Sequence, residues 1–552
     1  MKAAHEGLAQ VPLSNSHGAE VAPEERGQIE LQRKKDQEFN RCFPLVCEEG
    51  DKLLLRAHDR THLEFLIDYR LEGEATVQSF EWEAFFFAPQ SLRLSSRTYQ
   101  KNDLYTDLQS YVRFSMPRPP IVELAQRGIE EVDAALKKDP VKMGLRELKL
   151  FASTVRESLF YEKEKILEAF RRSREEFPAF SVPENRALAI LKERAIALVE
   201  ASRKLSVAWK EFAHRSKFHV EPVATAIKWV DEQISRLIEG VHAELALELR
   251  EVGQGEEVAA QAEALAVEEA QYRLNQGLDG VGFIGMGIRE TEHLEFRQRL
   301  LKRFSASALW LDLRIERAST LVLHLFYAIA ASVAMALAVV MALWTPAQPT
   351  FQGFHLGFVK WALVVVLGYA AKDRTKAFLQ SFFSDVIARH FPDRNWSIRE
   401  RTTGAVIAKM REHHGFTSRP ALPQEVLDLR DSTRSSPLEE EANPETVLFH
   451  RKRIRIDCNA IRKVDARFQG LTEIYRLDLH RWLLHADDPK CEIAYADPDR
   501  KAVARARAPH VYNLNVIYRL RKVGDNKKPH DQWHRARVVV SRRGIRRIEF
   551  IA

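Results

Sequence analysis

The feature that most constrains this chain is Ala318 to Ala371, an apolar run, a short polar interruption and a second apolar run, with no Asp, Glu, Lys or Arg between Arg317 and Lys360. Such a stretch predicts a transmembrane helical hairpin. The first run, Ala318 to Trp344, has 27 residues. As a helix rising about 1.5 Å per residue it exceeds a hydrocarbon core of about 30 Å and spans with some tilt. The second run, Gly353 to Ala371, has 19 residues and carries Lys360 near its start, where a long stem can snorkel to the headgroups. The expected spans are 318–344 and 356–371, joined by a loop over 345–355.

Orientation follows from the basic flanks. Lys302, Arg303, Arg314 and Arg317 precede the hairpin, Lys372, Arg374 and Lys376 follow it, and the loop has no basic residue. The positive-inside rule then puts both flanks in the cytoplasm and the loop outside. Trp344 and Trp361 are the expected interfacial anchors on the far side, with Lys360, Lys372, Arg374 and Lys376 as the charged ones. So short a loop excludes an ectodomain for large external ligands. The first residues lack the apolar core of a signal peptide, which agrees with a cytoplasmic N-terminus.

The 552 residues leave room for several domains on the cytoplasmic side. Residues 1–36 are polar and aperiodic, as a disordered tail would be. Over 37–120, short aromatic and aliphatic runs (Lys52 to Arg56, His62 to Tyr69, Phe80 to Phe87) predict a β-rich or α+β domain that ends at the Pro117 to Pro120 punctuation. From 121 to 276 the period is helical. Leu145, Leu148, Phe151, Val155 and Leu159 mark one stripe, and Val223, Ile227, Val230, Ile234, Leu237 and Val241 form a heptad seam. That seam serves either an intrachain bundle or self-association.

A Gly-rich joint covers 277–290, where Gly280, Gly282 and Gly285 match GxGxxG. A helical segment precedes it instead of the strand that a dinucleotide site needs, which favours a simple joint. Thr291 to Trp344 contains neither Gly nor Pro, so a stalk helix over 291–317 runs into the first span. The exit helix 372–391 is either its antiparallel partner or an interfacial helix. In the stalk reading facing residues sum to about 689, which places Leu311 near Phe378 and Phe304 near Val386. A mixed segment (392–430) and a linker (431–445) lead to a basic β-rich domain, 446–552, with a helix expected over Leu471 to Ala486.

These residues resemble a family of uncharacterised bacterial integral membrane proteins with a central two-helix hairpin. The resemblance is carried by Tyr99-Gln-Lys101 and the stretch from Leu104-Tyr105 to Val112-Arg113. It continues in Lys372-Asp373-Arg374-Thr-Lys376 at the membrane exit, Val511-Tyr512-Asn-Leu-Asn515, and Gly544-Ile545-Arg-Arg547-Ile548-Glu549. It implies this topology and a bacterial inner membrane, and brings no activity, cofactor or partner with it.

Chemistry is sparse in the sequence. Cys42, Cys47, Cys458 and Cys491 read as free thiols, and the first two have no second half of a zinc site. His480, His485, Asp487 and Asp488 read as a solvated helix end, with clustering of Asp457, Asp487 and His485 as the pattern that would favour an enzyme. Thr446 to Ala552 holds 25 Lys/Arg against 12 Asp/Glu. Within it Arg451, Lys452, Arg453 and Arg455 are the candidate surface for an anionic ligand, either lipid headgroups or the acidic N-terminal half, with nucleic acid disfavoured. The fold class expected is a multidomain α+β membrane protein. Its function is expected to be that of a membrane-tethered scaffold or regulator without a cofactor. The alternatives are a homo-oligomeric channel or membrane-perturbing effector, and a membrane-bound enzyme.

Overall fold

A computed structural model describes residues 53–551 except 74, 177–183, 216–219, 253–254, 279–287, 317, 345–355, 391, 433–443, 489, 500 and 524–532. The expected tail, Cys42 and Cys47, the GxGxxG glycines, the loop 345–355 and most of the linker lie outside the described residues. The described chain forms two compact units, one helical over Arg118–Ala308 and one built from Val46–Pro117 together with Leu309–Ala552. The Pro-rich punctuation at Pro117 is the first crossing between them. The architecture is multidomain α+β, as expected, but its strands are distributed differently.

The helical unit contains α1 (Ile129–Lys138), α2 (Leu145–Glu176), α3 (Glu184–Arg215), α4 (Val223–Val252), α5 (Glu256–Asn275) and α6 (Ile288–Ala306). Its core takes in both predicted stripes. Leu148, Phe151, Val155 and Leu159 are buried with Val223, Ile227, Val230, Ile234 and Val241 in one cluster, so the heptad seam serves the intrachain bundle. Each large side chain buried there contributes on the order of 1.5–3 kcal/mol. The predicted stalk is corrected. Helix α6 ends at Ala306 and packs into the bundle, where Phe304 meets Trp229 edge-on at 5.0 Å and Gln233 donates to Ser305 Oγ at 2.8 Å. After a turn the chain continues as a strand.

Among the described residues the second unit holds fourteen strands. They are β1 (Leu53–Ala57), β2 (His62–Arg70), β3 (Val77–Pro89), β4 (Leu108–Ser115), β5 (Asp312–Glu316), β6 (Arg394–Arg399), β7 (Val406–Thr417), β8 (Glu445–Asp457), β9 (Gly470–Asp478), β10 (Lys490–Asp497), β11 (Ala502–Pro509), β12 (Tyr512–Lys522), β13 (His534–Ser541) and β14 (Gly544–Ile551). One sheet runs β1-β2-β9-β4 and another β14-β13-β12-β3-β8-β7-β6-β5, both antiparallel, with β10 and β11 as a separate ribbon. The segments expected to fold as separate domains, 37–120 and 446–552, therefore share both large sheets. Alternation marks each strand in the sequence but does not say which strand it pairs with.

Two further expectations change. Leu471 to Ala486 is helical only in the short 3-10 turn Arg481–Leu483. Leu471, Glu473, Tyr475 and Leu477 alternate inward along β9, which is paired on both sides by β2 and β4. Asp312–Glu316 pairs with β6 at the edge of the eight-stranded sheet, and Leu311 N–H donates to Val112 O at 3.0 Å. That pairing outweighs the helix propensity of an unbroken sequence. Gly544 at φ 116° is required where β13 turns into β14, because a Cβ there would lie 2.0 Å from Arg60 O.

Strands β5 and β6 also bracket the apolar helices α7 (Ala318–Trp344) and α8 (Leu356–His390). The hairpin is thus an insertion between β6 and its neighbour β5, the edge strand of the sheet.

Candidate functional site

Helices α7 and α8 are antiparallel. Phe326 and Phe383 have ring centroids 5.0 Å apart, and Met341 Sδ lies 3.9 Å from where a Cβ on Gly368 would be. Facing residues therefore sum to about 709, a register displaced from the predicted 689. The difference arises because the chain before Ala318 is strand, so the two helices align by their own packing. Ala330 and Ala334 are the buried small residues of α7, while Ala328, Ser332 and Ala336 on the same helix are exposed.

By this register Lys372 to Lys376 lies at the height of Leu337 to Val333, beside the middle of α7. Only α7 among the described residues carries a window long and apolar enough to cross a membrane, His324–Met341. In α8, Lys360 and the Lys372-Asp373-Arg374-Thr375-Lys376 cluster break up the apolar run. The side chains of Trp344 and Lys360 lie outside the described residues; Trp361 is half-buried, Arg374 and Lys376 are exposed, and Lys372 Nζ sits 4.0 Å from the Tyr369 ring centroid. Beyond the facing seam the hairpin presents Leu325, Ile329, Val333, Val339, Leu363, Val366 and Phe378 outward.

The four residues of the predicted anionic-ligand surface separate by strand alternation. Arg451, Arg453 and Arg455 face outward on β8 and Lys452 faces inward. Outside, two carboxylates of β3 collect the arginines. Glu83 binds Arg451 at 2.6 Å and Arg519 at 2.7 Å; Glu81 binds Arg453 at 2.9 Å and Arg521 at 2.8 Å. Burial opposes ionisation of Glu81, but Arg521 and Arg453 outweigh it and hold its carboxyl below the usual range. Among the described residues Arg455 has no such partner.

Inside, Lys452 sits between the two large sheets. Its ammonium hydrogen-bonds Glu473 of β9 and lies 3.2 Å from Glu412 of β7. Glu473 also accepts from Tyr69 at 2.8 Å and Ser110 at 2.6 Å, so a donor from each of the two strands flanking β9 converges on it. Glu412 is close enough for ion pairing but outside hydrogen-bond geometry, and both its oxygens lack a donor. His450 Nδ1 lies 2.8 Å from Tyr475 OH, and His414 Nδ1–H donates to Phe449 O at 2.9 Å. Trp82, Phe65 and Tyr475 close the site with edge and tilted contacts at 5.0–5.7 Å.

The electrostatics follow from burial. It works against the charge of Lys452, yet Glu473 and Glu412 hold its pKa up, and Lys452 in turn holds Glu473 down. Burial pushes His414 down to about 4 and His450 well below its ordinary value, the latter helped by the Lys452 charge. Lys452, Glu412, Glu473 and His450 are each no more than 1% exposed, so no substrate reaches them in this structure. The network fixes one pairing of the sheets, because any other register strands a buried charge.

Sequence reasoning did not find Glu412, Glu473, His414 or His450. Their only sequence signal is a titratable residue at an inward position of an alternating strand. Of the other sequence candidates, Asp457 caps the helix Cys458–Val464 through Ala460 N–H, Asp487 accepts from Tyr512 OH at 2.6 Å, and His485 is exposed. No group of three His, Cys, Asp or Glu side chains that could hold a metal forms among the described residues. No protein-family model and no curated relative matches the chain.

Proposed function

We propose that this is a membrane-tethered scaffold or regulatory protein of the bacterial inner membrane, anchored by α7 and α8, with both termini and both folded units in the cytoplasm. The observation that carries the reading is the contiguous apolar surface of the hairpin, where residues such as Leu325, Val333, Leu343, Leu363 and Val366 are between 47% and 78% exposed. A patch of that extent is not left to water in a soluble monomer. The basic flanks and the uncharged loop support the orientation. Reporter fusions after Asp36, at Gln348 and after Ala552 should give inside, outside and inside. A periplasmic signal from either terminus, or release of the chain by alkaline carbonate, overturns the anchor.

A second reading, an oligomeric channel or effector, is favoured by one observation: the Lys372 to Lys376 cluster lies beside the middle of α7, where charge inside a bilayer needs a polar neighbour. The exposed Ala328, Ser332 and Ala336 would allow close approach of a second copy. Light scattering in detergent decides between the readings: a ring supports the channel and a monomer eliminates it.

A further inference from the structure

The outward rows of the eight-stranded sheet hold more positive charge than its carboxylates neutralise. Strand register places Lys409 directly opposite Arg455, and Arg411 directly opposite Arg453, on the same exposed face. Arg314 of β5 stands in the first of these rows, opposite Ser397, which in turn faces Lys409. Arg314, Lys409, Arg411 and Arg455 have no carboxylate partner among the described residues. Like charges directly opposite one another destabilise a sheet unless a counter-charge covers them. Three of these four, Lys409 and Arg411 on β7 and Arg455 on β8, stand on adjacent strands and make an anion-seeking surface.

The position of the rows selects the anion. Asn395, which pairs with Arg411, is only five residues beyond the end of α8 at His390, so the basic rows begin where the sheet leaves the hairpin. The rows consist of Arg, Lys, Ser, Asn, Glu and His and contain no Phe, Tyr or Trp on which bases could stack. We propose that this outer face, centred on Lys409, Arg411 and Arg455, docks on the anionic phospholipid headgroups of the membrane that the hairpin enters. The proposal rests on the anchored reading above and adds a surface and a ligand chemistry to it.

The test uses the full chain with its four cysteines replaced by alanine and Asn395→Cys carrying an environment-sensitive dye, since Asn395 lies on the face and is uncharged. The chain is reconstituted in vesicles of neutral phosphatidylcholine, or of the same lipid with about one third phosphatidylglycerol, with headgroup-spin-labelled lipid as quencher. Quenching should be strong only in the anionic vesicles and should fade between about 50 and 300 mM salt, as surface electrostatics do. Replacing Lys409, Arg411 and Arg455 together by Gln should lower the docked-to-undocked ratio about 100-fold, at roughly fivefold per cation.

Carbonate extraction of the same vesicles reads the anchor separately. Equal or absent quenching in both lipids while the chain resists carbonate overturns the docking face and leaves the anchor. Anionic-dependent quenching of a chain that carbonate releases supports the face and overturns the anchor. Tight binding of a single-stranded oligonucleotide without quenching in anionic vesicles assigns the face to nucleic acid and overturns the lipid.

Discussion

The two sides of strand β8 place the same kind of charge in opposite circumstances. Outward, Arg451 and Arg453 reach Glu83 and Glu81 over a solvent-exposed surface; inward, Lys452 meets Glu473 and Glu412 shielded from solvent. Coulomb attraction is screened on the first side and nearly unscreened on the second, where the desolvation cost is correspondingly large. The lesson is that the worth of an ion pair here is set by what remains when one partner is removed. An orphaned outer arginine rehydrates; an orphaned inner carboxylate cannot.

That contrast is open to measurement. Lys452→Met leaves Glu473 and Glu412 buried without their cation and should destabilise the β unit by about 3–5 kcal/mol, seen as a lower denaturant midpoint in detergent. Adding Glu412→Gln and Glu473→Gln to it should recover much of the loss, and no recovery would mean that packing, not charge, fails first.

Acid should act next in size. Folded, His414 stays neutral down to about pH 4, whereas the unfolded chain protonates it near its ordinary pKa of 6.5. Between those values the unfolded state binds more protons, so stability falls as pH falls, by about 1.4 kcal/mol per unit and about 3 kcal/mol in all. His450 adds to the same slope, and Glu473, with its pKa depressed, adds a further loss below the ordinary carboxylate range. Denaturant midpoints at pH 7, 5.5 and 4.5 should show this, and His414→Gln should flatten it; an unchanged slope in that variant assigns the acid sensitivity elsewhere.

The smallest effect belongs to the outer side. Arg453→Met removes one of the arginines on Glu81 while Arg521 remains, and should cost about 1 kcal/mol or less. A loss as large as that of Lys452→Met would erase the distinction between the faces.

The strands β1, β2 and β3, and the β-rich character of 446–552, were legible because apolar and polar residues alternate between turn residues, and the bundle was legible because Leu148 to Leu159 and Val223 to Val241 keep a helical period. Partnership was not. Nothing local in Phe80 to Phe87 says that it pairs with Val447 to Ile454 and with Asn515 to Lys522. The stalk failed for a related reason. Trp310 to Glu316 has no helix breaker, and only a vacant edge beside β6 makes it a strand. Within the site, Arg451, Arg453 and Arg455 could be read as an exposed row, but Lys452 could not be assigned inward until its neighbours on β7 and β9 were known.

The central position of β3 also has a consequence in time. Its Glu83 meets Arg519, separated by 436 residues along the chain. At a synthesis rate of about 5–20 residues per second, the ribosome needs roughly 20–90 s to deliver the second strand that flanks β3. Helices α7 and α8 emerge well inside that interval. The hairpin is therefore synthesised before the sheet can close, and β3 keeps an open edge until β12 arrives.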